Sequence, residues 1–182
     1  MNWPRVCHLY EVDQPKVLEF KDAVLGKVAA TTTCTRHVVG TDLREDWAGA
    51  LLAAGFDPAR PTAWLAEGLL PYLPAAAEDQ LFDQIDRLSS PGSRIAVEHV
   101  SDVTAVVDHP MINRSVQQLG VDIRELWNRE PRRPVDERLR SQGWVLTSES
   151  IAEAARCFGR ELDADSDAGI GEYIALCAGS RG

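Results

Sequence analysis

The stretch Leu9–Tyr10–Glu11–Val12–Asp13–Gln14–Pro15 organises the chain, because it joins the end of a predicted strand to the start of a predicted helix. The mostly apolar residues 6–10 indicate a strand that is buried on both faces. Pro15 suits the first turn of a helix, where its missing N–H costs nothing. Ligands bind at the carboxyl ends of the strands in an open α/β sheet, so we expect Glu11 and Asp13 to form such a tip.

Predicted strands and helices alternate through the front half of the chain. They are helix 15–28, strand 36–41, helix 47–54 with Asp46 as its N-cap, strand 62–66, a helix opened by Pro74, and strand 93–100. This alternation predicts an α/β fold in which a parallel sheet carries helices on both faces.

The back half is less regular. The predicted elements are a loop at 102–110, helices at 111–120 and 123–127, a proline-broken basic linker at 130–134, a helix at 135–141, strand 144–147, helix 148–158, a charged loop at 163–167 and strand 172–178. A closing pair of strands around one helix is typical of the edge of a mixed sheet. With 182 residues and 45% hydrophobic content, the sequence predicts a single domain spanning 1–182.

Acidic residues end three successive predicted strands, at Asp13, Asp42 and Glu67. Carboxylates that lie side by side on one rim of a sheet accept hydrogen bonds from ribose hydroxyls, an adenine amino group or an ammonium group. The alternative is that each acid caps the helix that follows it. We favour the ligand-binding rim for the set of three, because no helix start follows directly on Asp13 or Glu67.

Composition excludes several classes of function. With 28 acidic and 19 basic residues, the formal net charge of -9 disfavours a nucleic-acid partner. No apolar run approaches the ~20 residues that span a bilayer, and residues 1–5 do not read as a signal peptide, so we predict a cytoplasmic protein without a membrane partner. The four cysteines are scattered and form no Cys-x-x-Cys pair, which predicts reduced thiols and no metal site.

Two histidines and two arginines are further candidates for a packing or a ligand-binding role. His8 lies within an apolar strand and is read as a packed core histidine, whereas His99 ends a strand and could face the rim of acids. Arg132 and Arg133 read as a solvated linker, with an anionic substrate as the alternative.

Several motifs are specific when they are taken together: YEVDQPKV at 10–17, TDLR at 41–44 and PTAWLAEGLLPYL at 61–73. The tail adds Gly143–Trp144 and Phe158–Gly159–Arg160. In these residues the chain resembles the mycobacterial-type S-adenosylmethionine-dependent methyltransferases, which are relatives of the leucine carboxyl methyltransferases. The resemblance covers nearly the whole chain.

The resemblance implies a Rossmann-like class I methyltransferase sheet and S-adenosyl-L-methionine as cofactor. It implies that Asp13 binds the cofactor, and that Asp42 and Leu43 contact the adenine region through a side chain and through the backbone. Glu67 would lie near the methionine part. The resemblance identifies neither a catalytic residue nor the small-molecule methyl acceptor, and oligomeric state stays open.

The amino end departs from the resemblance. The first strand of the family sheet, its Gly-rich turn and the lid helices that cover the substrate have no counterpart here, so the sequence reads as truncated. Loss of that central strand would leave unpaired strand edges, and loss of the turn would remove backbone N–H groups from the ligand site. We therefore expect the 182-residue chain to bind the cofactor weakly or not at all.

The resulting functional prediction is transfer of a methyl group to an oxygen nucleophile, for example a carboxylate. A transfer of this kind needs mainly alignment of the nucleophile with the methyl group, so a catalytic base is not required. One alternative is a non-catalytic remnant or a self-associating interaction protein. Another is a different nucleotide-binding α/β enzyme, such as a dehydrogenase, although the missing Gly-rich turn tells equally against that class.

Overall fold

The structure is a computed structural model that describes residues 4, 6–109, 112, 122–160 and 170–182. Two compact units make up the chain, Met1–Asp57 and Pro58–Gly182. The single domain expected over 1–182 stays a prediction. No helix in the described ranges is long and apolar enough to cross a membrane.

The first unit is a strand–helix–strand–helix sequence: β1 (His8–Asp13), α1 (Pro15–Lys27), β2 (Thr35–Gly40) and α2 (Trp47–Ala53). The two strands are parallel, with a register that runs from His8 opposite Thr35 to Asp13 opposite Gly40. Pro15 occupies the first turn of α1, and the Asp46 side chain accepts a hydrogen bond from the Gly49 N–H at the start of α2. The predicted order and both helix starts are confirmed.

Burial in this unit differs from the sequence prediction. The strand β1 was expected to be buried on both faces, but all six of its residues are partly or fully exposed. Among the described residues β1 pairs only with β2, so it has a neighbour on one side alone. Helix α1 buries only Leu18, and the apolar residues Val17, Phe20 and Val24 stay 42–71% exposed.

The second unit contains a four-stranded sheet and the remaining helices. Its strands are β3 (Ala63–Ala66), β4 (Arg94–Val100), β5 (Trp144–Ser150) and β6 (Ile174–Arg181), and its helices are α3 (Ala75–Arg87), α4 (Val103–Val107), α5 (Ile123–Leu126), α6 (Val135–Ser141) and α7 (Ile151–Cys157). A short 3-10 turn, Leu70–Tyr72, follows β3. The strand order is β3-β4-β6-β5.

The mixed edge that the closing strands predicted is confirmed. Strands β3 and β4 are parallel, whereas β6 runs antiparallel to both β4 and β5. The helix between the last two strands begins at Ile151 rather than at residue 148, because β5 continues to Ser150. Ser150 and Glu153 form a capping box there, in which each satisfies a backbone N–H of the other.

The core of this unit is apolar, and it explains one wrong prediction. Phe82, Leu70, Leu139 and Val97 are almost completely buried. Residues 102–110 were expected to form a loop, but residues 103–107 form α4, because Asp102 caps its first turn and Val106 and Val107 bury their side chains. The predictions for 111–120 and 163–167 lie outside the described residues, apart from Ile112.

Candidate functional site

The first unit places Asp13 and Asp42 at the same end of its sheet. Asp13 is the last residue of β1, and its register partner Gly40 is the last residue of β2. The Thr41 N–H donates to the Asp13 carbonyl oxygen at 3.0 Å, so the two strands remain paired up to the residue before Asp42. Both acids therefore lie at the carboxyl ends of adjacent parallel strands, as predicted.

Asp13 supports the capping interpretation and the ligand interpretation at once. Its Oδ1 accepts a hydrogen bond from the Gln14 N–H at 2.7 Å, just before α1. The residue is exposed, and no other described group bonds its side chain. Since a carboxylate has about four acceptor positions, most of them remain available to a ligand.

Asp42 is held by a neighbour that the sequence prediction overlooked. Its Oδ1 accepts hydrogen bonds from the N–H and Nε of Arg44, both at 2.9 Å, and its Oδ2 accepts from Arg44 Nη2 at 2.5 Å. This arrangement lowers the pKa of Asp42 to about 2, chiefly through the side-chain hydrogen bond from Arg44. The acid therefore stays ionised under all ordinary conditions.

The residues after Asp42 form a tight turn that leaves Leu43 free to bond. The Glu45 N–H donates to the Asp42 carbonyl oxygen at 2.9 Å, which closes a four-residue turn. Leu43 is only partly exposed, and within the described chain its N–H has no hydrogen-bond partner. A free N–H beside an ionised carboxylate offers one donor and one acceptor to a planar ligand.

Glu11, the other acid of the opening stretch, has a structural role instead. It accepts a hydrogen bond from Arg36 Nε at 2.6 Å and forms an ion pair with Lys21 of α1. Arg36 in turn pairs with Asp22 at 2.7 Å. These charges connect α1 to the two strands. Contrary to the prediction, Glu11 is therefore not available to a ligand.

The third predicted acid, Glu67, lies in the second unit, directly after β3. It is exposed, and no described residue pairs with its side chain. The next residue, Gly68, has a φ of +61° that favours glycine, and its N–H donates to Glu98 Oε2 at 3.1 Å. The rim of three acids stays a prediction, because only Asp13 and Asp42 lie within one unit.

His8 is not the packed core histidine that the sequence predicted. It is exposed, and its Nδ1 lies 2.9 Å from Nε2 of His37 on β2. The Tyr10 ring stacks on His37 with their centroids 4.4 Å apart. Side chains two apart on neighbouring parallel strands share one face of the sheet, which is why these rings meet.

A cavity of about 100 Å³ lies in the second unit at the carboxyl end of β4. Its lining includes His99, Val100, Ser101 and residues 132–135. Burial lowers the pKa of His99, so its imidazole is neutral near pH 7. His99 was predicted to face the rim of acids, but Asp13, Asp42 and Glu67 do not line this cavity, so that prediction stays open.

Arg132 corrects the prediction of a solvated linker. Its side chain is 15% exposed and its Nη1 lies 2.5 Å from Oε2 of Glu78, whose side chain is 5% exposed. Arg132 also donates to the carbonyl oxygens of Leu70, Leu73 and Asn128 at 2.9–3.2 Å. Burial raises the pKa of Glu78, and the guanidinium opposes that rise.

Comparison with known proteins agrees with this architecture. Residues 1–86 match the leucine carboxyl methyltransferase family. The predicted resemblance is thereby confirmed. The chain is 48% identical over 168 residues to a candidate S-adenosyl-L-methionine-dependent methyltransferase of Mycobacterium ulcerans, with 91% of this chain and 54% of that protein covered. A protein of the same description from Streptomyces coelicolor is 45% identical over 171 residues, with 92% and 56% covered.

Solved structures support the fold class. A candidate methyltransferase from Thermobifida fusca superposes with a TM-score of 0.59 at 20% identity, covering 96% of this chain and 63% of that one. A DUF574 family protein from Streptomyces avermitilis superposes with a TM-score of 0.60 at 16% identity, covering 98% and 66%. The predicted Rossmann-like α/β fold is therefore confirmed. The chain spans a little over half the length of the sequence relatives named above.

Proposed function

We propose that this chain serves S-adenosyl-L-methionine-dependent O-methyl transfer in the cytoplasm, to a small-molecule acceptor. The observation that carries the proposal is the identity of 45–48% to relatives named as S-adenosyl-L-methionine-dependent methyltransferases, over more than nine-tenths of the chain. The two acids at the carboxyl ends of β1 and β2 support it, because ligands of open α/β sheets bind at that edge.

Four residues are proposed to hold the cofactor: Asp13, Asp42, Leu43 and Glu67. Arg44 occupies about three of the four acceptor positions of the Asp42 carboxylate, which leaves one for an adenine amino group. The free N–H of Leu43 suits a ring nitrogen, and the exposed carboxylate of Asp13 suits ribose hydroxyls. Glu67 is proposed to lie near the ammonium group of the methionine part. The groups of the first unit therefore fit the adenosine part of the cofactor.

The cofactor would supply the methyl group from its sulfonium. The chain's own contribution is to bind and orient, since a transfer of this kind depends mainly on alignment of the reacting atoms. We assign no residue as a catalytic base.

The proposal is tested by nuclear magnetic resonance, which detects weak binding. S-adenosylhomocysteine titrated into the ¹⁵N-labelled 182-residue chain should shift the amide signals of Leu43 and Gln14. Asp13→Asn removes the charge but keeps an oxygen for the Gln14 N–H, so it should weaken binding about tenfold without disturbing α1. Asp46→Asn is the matched control, because asparagine also caps α2. Unmoved amide signals would contradict cofactor binding by this chain, and equal binding by Asp13→Asn and the wild type would contradict the role proposed for Asp13.

A second candidate function is self-association, and the exposed face of α1 favours it. Val17, Phe20, Val24 and Val28 recur at helical spacing and are 46%, 71%, 42% and 68% exposed. Contiguous apolar surface on a helix is typical of an interaction site. Light scattering after size exclusion should then show a dimer that Phe20→Lys dissociates, and a monomer at all concentrations would contradict this candidate.

A further inference from the structure

Two of the four cysteines stand opposite each other at the start of β1 and β2. The register of these strands begins with His8 opposite Thr35. The residues directly before these two are Cys7 and Cys34, which form the next rung of the same ladder. The Thr35 N–H donates to the Cys7 carbonyl oxygen at 3.1 Å, so the strands are still paired there. Since opposite residues of a parallel pair point to the same face, both thiols leave the sheet on one side.

The spacing of this rung suits a disulfide. Neighbouring strands lie about 4.8 Å apart, and a disulfide joins residues whose Cα atoms are about 4.4–6.8 Å apart. The rung lies at the end of the ladder, where the Cys7 N–H bonds the Pro4 carbonyl oxygen instead of β2. The Sγ of Cys7 lies 3.8 Å from the His8 carbonyl oxygen, a weak bond that a rotation about χ1 breaks. Bringing the two sulfur atoms together therefore requires side-chain rotation and a small closure of the strand ends.

The two thiols differ in their access to solvent. Both are free, but Cys34 is 8% exposed, whereas Cys7 is half-buried. An oxidant has to reach one thiol first, and a second thiol nearby then resolves the oxidised product. Cys7 therefore has the position of the attacking thiol, and Cys34 has that of the resolving thiol. Cys157 is exposed at the end of α7 in the second unit and provides a control.

We propose that Cys7 and Cys34 form a reversible disulfide when the protein meets a peroxide. The Cys7 thiolate attacks one peroxide oxygen, the O–O bond breaks, and the sulfur is oxidised to a sulfenic acid while hydroxide leaves. The Cys34 thiolate then attacks that sulfur, so the S–S bond forms and the sulfenic oxygen leaves as a second hydroxide. The protons released by the two thiols convert both hydroxides to water. A dithiol reductant restores both thiols by exchange.

The disulfide would stabilise the pairing of the first two strands. Among the described residues β1 pairs only with β2, so this ladder alone holds β1 from the side. A link between Cys7 and Cys34 closes a loop that contains α1, and closing a loop removes conformational freedom from the unfolded chain. The ladder should therefore open less often in the oxidised protein. Asp13 lies at the other end of β1, so the link leaves the proposed cofactor site chemically unchanged.

The link is detected by mass spectrometry on the 182-residue chain without cofactor, so the result is independent of the proposed function. After treatment with hydrogen peroxide and alkylation of the remaining thiols, trypsin should release peptides 6–16 and 28–36 joined by a bond that dithiothreitol cleaves. Amide hydrogen exchange measures the effect on the strands. The Thr35 N–H should exchange at least about tenfold more slowly in the oxidised protein than in the reduced one.

Two variants make the test specific to the register. In Cys34→Ser the sulfenic acid on Cys7 has no resolving thiol, so dimedone should label it. Cys34→Ser combined with Thr35→Cys moves the thiol by one residue to the other face of β2. The yield of joined peptides should then fall at least about tenfold, although residue 35 is more exposed than residue 34. Cys157→Ser is the matched control and should link as the wild type does.

The outcomes separate the bond from its effect. Separate alkylation of Cys7 and Cys34 after peroxide treatment, equal linking by the shifted thiol, or linking only between copies of the chain would overturn the disulfide. Absence of dimedone from Cys7 in Cys34→Ser would overturn its role as the attacking thiol. Unchanged exchange of the Thr35 N–H in the linked protein would overturn the stabilising effect.

Discussion

Replacement of Arg132 by methionine should destabilise the protein strongly, because it leaves a buried carboxylate without its cation. The side chains of Glu78 and Arg132 are 5% and 15% exposed, and their charged atoms are 2.5 Å apart. Removal of one partner from a buried ion pair costs about 3–5 kcal/mol. The carbonyl oxygens of Leu73 and Asn128 would lose the donor that Arg132 supplies, whereas that of Leu70 keeps a bond from the Leu73 N–H.

Urea unfolding followed by circular dichroism measures this loss. With a slope of about 2 kcal/mol/M, the unfolding midpoint should fall by about 1.5–2.5 M. Arg87→Met is the matched control, because Arg87 is exposed and lies outside the ion pair, and its midpoint should stay close to that of the wild type. Glu78→Gln added to Arg132→Met should recover part of the loss, since the buried group is then neutral.

The pH dependence gives a second check. Burial raises the folded pKa of Glu78 above its usual 4.5, and without Arg132 the pKa rises further. An acid whose folded pKa is raised contributes stability that is present below its unfolded pKa and lost as the pH rises through the folded one. The loss caused by Arg132→Met should therefore be smaller near pH 5 than at about pH 7.5. A loss below about 1 kcal/mol at neutral pH, or an equal loss at both values, would refute the reasoning.

Two further predictions concern other parts of the structure. In the variant Asp42→Asn, the free energy of unfolding should fall less steeply at acid pH than in the wild type. Arg44 lowers the pKa of Asp42 to about 2 in the folded protein, below its unfolded pKa of 3.8. The stability that this shift contributes is present above the unfolded pKa and is lost as the pH falls through the folded pKa. Urea midpoints at decreasing pH test this, and an unchanged limb would count against it. Gly179→Ala should cost about 1–3 kcal/mol, because a β-carbon there meets the carbonyl oxygen of Val145. In Gly26→Ala in α1 the new β-carbon meets no atom within 4 Å, so this variant should be more stable than the wild type by about 0.5–1 kcal/mol. Thermal midpoints that move in the same direction for Gly179→Ala and Gly26→Ala would contradict the predicted clash at Gly179.

Features that depend on neighbouring residues were predictable from the sequence. The order of the elements in the front half, the start of α1 at Pro15 and the cap of α2 at Asp46 all follow from local periodicity and capping chemistry. The placement of Asp13 and Asp42 at the ends of adjacent parallel strands follows from the alternation of strands and helices. Arg44 is only two residues from Asp42, and its guanidinium was a local signal that the prediction overlooked.

The buried ion pair between Glu78 and Arg132 was only partly predictable from the sequence. Glu78 precedes Leu81 and Ile85 by three and seven residues, so it lies on the apolar face of α3, and that position signals a buried acid that needs a cation. The identity of the cation had no signal of this kind, because Arg132 is 54 residues away and stands in a proline-broken segment that reads as solvated. Burial of β1 was mispredicted for a related reason, since burial depends on which strands pair beside it.

The opening stretch shows the same division. The sequence by itself determined that Leu9–Pro15 ends a strand with two acids and begins a helix, because strand alternation, proline and capping act over a few residues. Only the tertiary structure decided that Glu11 pairs with Arg36 and Lys21 while Asp13 stays exposed. Those outcomes depend on which face of the strand meets α1 and on charges brought in from β2, and such contacts exist only once the chain has folded.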